Sequence, residues 1–153
     1  MFTGATSLSM DAKGRLAVPS RFRDRLVEQC GGRMVVTVSL YDDCLCLYTA
    51  PHWQKLGDEI LALPGEPGNR AIQQLLFGYA EEVELDGNGR IGLNAALREF
   101  AHLSNERKLK MFGQGHRFEI WDEARWTEAQ TSMLGKARDQ LKQGAHLGSL
   151  VNL

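Results

Sequence analysis

Cysteine is scarce in this 153-residue chain, neither sign of charge dominates, and no long apolar run occurs. The three cysteines, Cys30, Cys44 and Cys46, are an odd number without the spacing of a disulfide framework, which fits a reducing compartment. The longest apolar stretch, Met34 to Val38, is strand-sized, far short of the roughly 20 residues a membrane-spanning helix needs. The opening residues, MFTGATSLSM, lack the basic start and apolar core of a signal peptide. Together these absences predict a cytoplasmic protein with no membrane partner. Lys plus Arg is 18 against 19 Asp plus Glu, a net charge of −1, so indiscriminate wrapping of a polyanion is disfavoured. No Gly-x-Ser-x-Gly, His-Glu-x-x-His, phosphate-loop or dinucleotide pattern is found. No catalytic residue, small-molecule substrate or cofactor is therefore expected. What the chain does have, 43% hydrophobic and 24% charged residues, is the composition of a folded protein of one ordinary domain or two half-size ones.

The near-neutral average hides a cluster. Between Ser9 and Arg25, Lys13, Arg15, Arg21, Arg23 and Arg25 stand against only Asp11 and Asp24.

The chain also repeats itself. Asp11-Ala-Lys-Gly-Arg15-Leu-Ala-Val matches Asp86-Gly-Asn-Gly-Arg90-Ile-Gly-Leu, 75 positions later. The register extends back through Phe2/Phe77, Ala5/Ala80, Leu8/Val83 and Met10/Leu85, and forward to Phe22/Leu97 and Arg23/Arg98. A second block, Leu45 to Trp53, matches Phe118 to Trp126 at an offset of 73. Two blocks in the same order point to an internal duplication. The first copy spans residues 1–63 (core 5–51), a connection covers 64–76, and the second copy spans 77–148 (core 80–123).

Each copy reads as the same succession of elements. Leu8 and Met10, then Leu16 and Val18, alternate with polar neighbours, so two short strands flank Asp11-Ala12-Lys13-Gly14. Asp first and Gly fourth is the type I turn preference, and Asp86 and Gly89 have the same places in the second copy. A helix follows, with Pro19 at its first position, Phe22, Leu26 and Cys30 on one apolar stripe, and Gly31-Gly32 at its end. Asn94 is the corresponding N-cap ahead of Leu97, Phe100 and Ala101. Met34 to Leu40 and Cys44 to Tyr48 read as strands, as do Lys108 to Phe112 and Arg117 to Trp121. Helices are expected around Trp53, Leu56, Ile60 and Leu63, over Asn69 to Phe77, and from about Glu123 to Gln143. Trp53 and Trp126 read as core anchors where helices begin, and Gly144 to Leu153 as a frayed or partner-dependent end. The fold class is α+β. Each copy has too few strands to bury a sheet alone, and intertwining the copies into one pseudo-twofold barrel with peripheral helices solves that problem.

Several readings compete at the turn. A two-stranded ribbon carrying Lys13 and Arg15 fits the DNA major groove, and the Arg fork can hold guanine edges or phosphate oxygens. Equally, Asp11 and Arg15 can pair across the turn to hold its shape, as Asp86 and Arg90 can; the two roles are compatible. Arg21, Arg23 and Arg25 read as a solvated helix face unless a polyanion approaches the neighbouring ribbon. From Glu84 to Phe100, Arg90 and Arg98 are outnumbered by Glu84, Asp86 and Glu99, which favours the first copy as the closer contact and the second as scaffold. Cys44-x-Cys46 with His52 is a poor zinc pattern, so the cysteines read as small strand hydrophobes and no metal is expected. His102, His116 and His146 are scattered and read as surface residues. Glu81 to Glu84 reads as an edge strand kept from aggregating.

These residues carry a family resemblance. Phe2-x-Gly4-Ala5, Asp11-x-Lys13-Gly14-Arg15-Leu16-x-Val18-Pro19-x-Arg21-x-Arg23, Asp86-Gly-x-Gly-Arg90, and Phe118-Glu119-x-Trp121-Asp122 with Trp126 closely resemble the MraZ family, built from two AbrB-like (SpoVT-AbrB) units. The resemblance covers the chain to about Gly144. It implies a swapped-hairpin β-barrel and sequence-specific binding of double-stranded DNA. It further implies transcriptional control, typically repression of the family's own division and cell-wall gene cluster, by a nucleoid-associated protein. A ring homo-oligomer, octamer or dodecamer, would place successive ribbons on short promoter direct repeats. On the family's Asp-x-x-x-Arg motif, Arg15 is the chief DNA contact, with Lys13 beside it and Arg90 its pseudo-symmetric partner; Arg21 and Arg23 position the backbone. Asp11, Gly14, Asp86 and Gly89 shape the turns. Asn88 replaces the lysine in the second motif. The rival expectation is an antitoxin-like module that captures a protein through the amphipathic helix Glu123 to Gln143; a barrel enzyme has no catalytic constellation behind it.

Overall fold

The computed structural model describes residues 1–144. The expectations for His146 and for the rest of the C-terminal end fall outside the described residues. Residues Met1–Glu123 form one compact unit, and the helix that follows belongs to a second.

The duplication is visible in the order of elements. The first copy runs β1 (Ala5–Leu8), β2 (Arg15–Ala17), α1 (Ser20–Cys30), β3 (Arg33–Val38), β4 (Leu45–Thr49) and α2 (Ala50–Leu61). After α3 (Pro67–Tyr79), the second repeats it as β5 (Glu81–Glu84), β6 (Arg90–Gly92), α4 (Ala95–Phe100), β7 (Leu109–Gly113), β8 (Arg117–Asp122) and α5 (Glu123–Gln143). Local chemistry sets most boundaries. Asn94 caps α4 by accepting from the Leu97 N–H at 2.9 Å, and the Thr49 hydroxyl accepts from His52 N at the start of α2. Pro19 stands one residue earlier than expected, at the cap itself (ψ 138°), with the helix beginning at Ser20.

Strand pairing departs from a simple hairpin. The strand pairing between the arms around Asp11–Gly14 is limited to a bridge between Met10 and Leu16. Beyond it, β1 pairs with β7, and β2 pairs with β6, Leu16 facing Ile91. In the second copy β5 pairs with β3. The first strand of each copy is therefore laid against the third strand of the other. The larger sheet has the order β1-β7-β8-β4-β3-β5, all antiparallel, and β2-β6 is a separate ribbon. β1 and β5 stand at its two ends, so among the described residues the sheet does not close into the expected barrel. The acidic β5 does occupy a sheet edge.

One core serves both copies. Leu16 and Val18 with Leu26 from the first copy, and Ile91 with Leu97 from the second, are buried in the same cluster as Leu45, Leu47, Met111, Phe118 and Ile120. Each such side chain contributes on the order of 1.5–3 kcal/mol by leaving water. Phe118 is the aromatic centre, with the Phe2 ring at 4.3 Å and the Phe22 ring at 4.7 Å. Trp53 does not join this core. It is half-buried against the rings of Tyr48 (5.6 Å) and Phe77 (6.0 Å), because α2 lies against β3 and β4 and turns this ring edge-on toward α3. Trp126 is likewise half-buried on α5. Cys44 and Cys46 are buried, and burial pushes both thiols up, that of Cys46 to about 11, so they pack as small apolar groups. His102 and His116 are exposed, His102 lying 3.9 Å from Asp43 and His116 stacking on His52 at 5.3 Å.

Candidate nucleic-acid interface

The two Asp-x-x-Gly-Arg turns have matching hydrogen bonds. In the first, Asp11 Oδ1 accepts from the Lys13 and Arg15 N–H groups at 2.9 Å each, while Oδ2 accepts from Arg15 Nε at 2.8 Å. The Gly14 N–H donates to the Asp11 carbonyl at 3.0 Å. In the second, Asp86 Oδ1 accepts from Asn88 N (2.8 Å) and Arg90 N (2.9 Å), and Oδ2 from Arg90 Nε (3.1 Å). The Gly89 N–H closes that turn on the Asp86 carbonyl, again at 3.0 Å. Both carboxyls are held below their ordinary value, first by the backbone N–H of Arg15 or Arg90 and further by the guanidinium itself, against an opposing cost of desolvation.

The turn glycines are required by their backbone and by what lies over them. Gly14 has φ +78° and Gly89 φ +72°, both left-handed. A Cβ at Gly14 would stand 2.9 Å from the Leu93 carbonyl oxygen and 3.0 Å from the Arg98 guanidinium. One at Gly89 would overlap the Arg23 side chain. The Gly14 carbonyl accepts from Leu93 N at 2.8 Å and the Gly89 carbonyl from Val18 N at 2.9 Å. Each turn is thus pinned by the other copy.

The paired strands then divide their side chains by face. Leu16 and Ile91 point into the core, so Arg15, Ala17, Arg90 and Gly92 share the outer face of the β2-β6 ribbon. Arg15 is paired with Gly92 and Arg90 with Ala17, and the Arg15 stem passes over Gly92. Only small residues stand opposite each arginine across the ribbon. The arginines also converge: Asp11 Oδ2, 2.8 Å from Arg15 Nε, is 4.0 Å from Arg90 Nη1. Both side chains are about one-third exposed, at 35% and 30%. Among the described residues no acceptor holds the terminal nitrogens of Arg15, since Asp11 takes the Nε. Lys13 is exposed at the tip.

The helix arginines are placed differently from one another. Arg21 Nη2 donates to the Ala5 carbonyl (2.7 Å) and Thr6 Oγ1 (2.5 Å), tying α1 to β1, and its guanidinium covers the Phe22 ring at 4.6 Å. Arg25 lies over the Phe2 ring at 5.7 Å. Arg23 is half-buried over Gly89 and so belongs to the second turn rather than to its own. Arg98 completes the arrangement at the first turn. It is absent from the expected contacts, although the 75-residue register already paired it with Arg23.

The fold and this paired ribbon define a class: a tandem α+β duplication whose copies exchange strands and meet through two Asp-x-x-Gly-Arg turns. Sequence matches to known proteins cover both copies. A family model described as "MraZ protein, putative antitoxin-like" matches residues 1–74 and again 76–142. Similar proteins named transcriptional regulator MraZ include one from Alkalilimnicola ehrlichii, 45% identical over 139 residues that cover 90% of this chain and 91% of the relative. One from Halorhodospira halophila is 43% identical over 138 residues, 90% of each. One from Thioalkalivibrio sulfidiphilus is 42% identical over 151 residues, 98% of this chain and 99% of the relative. The chain belongs to the MraZ family.

Proposed function

We propose that this chain is a transcriptional regulator that binds double-stranded DNA in a sequence-specific manner. In this reading it represses its own division and cell-wall gene cluster by seating a ring-shaped homo-oligomer on short promoter repeats. The observation that carries the reading is the outer face of the β2-β6 ribbon. A two-stranded ribbon fits the major groove, and this one presents two arginines with small neighbours and pre-set stems. Fixing the Arg15 Nε on Asp11 lowers the entropy lost when the fork meets a guanine edge. The relatives' names support regulation of transcription. The reciprocal pairing of β1 with β7 and β5 with β3 supports one pseudo-twofold unit of the swapped-hairpin type. A regulator of this kind works in the cytoplasm, on the nucleoid.

Arg15→Ala should abolish retardation of a duplex from upstream of its own gene while the circular-dichroism spectrum and particle size stay as in the parent protein. Loss of folding in that variant would assign the Asp11–Arg15 pair to structure alone, and intact binding would remove the ribbon from the interface.

A second reading uses α5 to capture a protein, as the family description "antitoxin-like" suggests. Leu134 and Leu141 on that helix are exposed, which favours it. A stoichiometric partner lost on truncation after Trp121, with no shift of DNA, would decide for this reading.

A further inference from the structure

Charge counted along the chain assigns the DNA-facing role to the first copy, because the window around Arg90 is slightly acidic. The structure redistributes that charge. Arg98, at the last turn of the short helix α4, lies against Gly14 in the first copy's turn, and Arg23, on α1, lies against Gly89 in the second. Their positions are equivalent under the duplication. Each turn therefore carries its own arginine and one delivered by the other copy's helix. Counted over these residues, the first turn has Lys13, Arg15 and Arg98 to one Asp11, and the second has Arg90 and Arg23 to one Asp86, so both counts are net positive.

Among the described residues neither helix arginine is neutralised by a carboxylate. Asp11 and Asp86 are engaged by Arg15 and Arg90. The Arg98 Nε donates weakly to its own helix, to the Asn94 carbonyl at 3.4 Å, and the Arg23 Nε is buried with no hydrogen-bond partner. A guanidinium kept beside a positive-φ turn, next to a base-reading arginine and without a counterion, is placed for an anion that arrives with the ligand. In duplex DNA that anion is the backbone phosphate flanking the bases read.

We infer that Arg98 is a phosphate contact of the first turn, supplied across the pseudo-twofold by the second copy, so that the DNA surface spans both copies rather than the first alone. The inference rests on the DNA-binding reading above. It makes Arg98 sequence-blind: a phosphate contact carries no base information, so its loss weakens every duplex alike.

The test compares the parent protein with Arg98→Gln by fluorescence anisotropy, on a labelled duplex from upstream of its own gene and on a mixed-sequence duplex of equal length. Removing one phosphate contact should lower the slope of log affinity against log salt by about 1 for each protomer engaged. Affinity for the two duplexes should fall by the same factor, with the thermal midpoint of unfolding unchanged. An unaltered salt slope overturns the inference, whatever happens to stability, since a purely structural arginine would move the midpoint and leave the slope alone. Should Arg98→Gln fail to fold, phenylglyoxal modification of the native protein decides. The duplex should protect Arg98 but leave Arg70, exposed on α3, as reactive as before; equal reactivity of the two with DNA bound overturns the contact. If the parent protein binds neither duplex, the DNA-binding reading itself falls, a result distinct from an unchanged slope.

Discussion

Asp11 shows how much one carboxylate can organise. It closes the turn through two backbone N–H groups, orients Arg15 through Nε, and sits within reach of Arg90. Because folding lowers its pKa from 3.8, as it does for Asp86, the unfolded chain binds these protons more readily. The associated stability is therefore complete above 3.8 and drains away as pH falls through and below that value. Urea unfolding followed from about pH 5 to about pH 3 should show the midpoint dropping, and Asp11→Asn with Asp86→Asn should flatten that drop. An identical pH dependence in the double variant would mean that other carboxylates dominate acid unfolding. The turn itself was legible in sequence, since Asp first, Gly fourth and Arg fifth is chemistry within five residues. Arg98 was harder to read, because its partner is 84 positions away and only the exchange of copies brings the two together.

At the level of elements, each short strand depends on the other half of the chain. β2, three residues long, has only the Met10–Leu16 bridge locally and makes its ladder with β6, while β1 pairs with β7. A first copy cut from the chain has the apolar faces but not the strands that cover them. Residues 1–63 alone should lack cooperative unfolding at low concentration, and gain structure with concentration only as two copies supply the missing strands to each other. Circular dichroism across a dilution series checks this; a concentration-independent folded monomer would contradict the exchange of strands. The alternation of Leu8, Met10, Leu16 and Val18 announced strands and their faces. It could not announce partners, since any strand with a complementary apolar face satisfies the same pattern. Trp53 lies outside the core for a related reason: helical spacing marks an apolar face, and α2 turns part of that face toward α3.

For the whole molecule the governing fact is a small positive surface on a protein of net charge −1. On the proposed DNA-binding reading, one such surface would make few phosphate contacts and a single copy would bind weakly, whereas several on one assembly facing spaced repeats would gain by effective concentration. Affinity should fall steeply with added salt. It should also fall further when the protein is diluted below its assembly concentration, read by light scattering alongside anisotropy. A single-copy species that binds as tightly as the assembled particle would refute this account.

The order of residues by itself determined the duplication, the α+β class, the two Asp-x-x-Gly-Arg turns and the helices that follow them, because turn chemistry, capping and apolar periodicity act over a few neighbouring residues. Only the tertiary structure decided that the sheet stays open among the described residues, which strands pair, and which arginine stands over which turn. Those outcomes depend on contacts between residues roughly a half-chain apart, and such contacts leave no local trace when both halves carry nearly the same pattern.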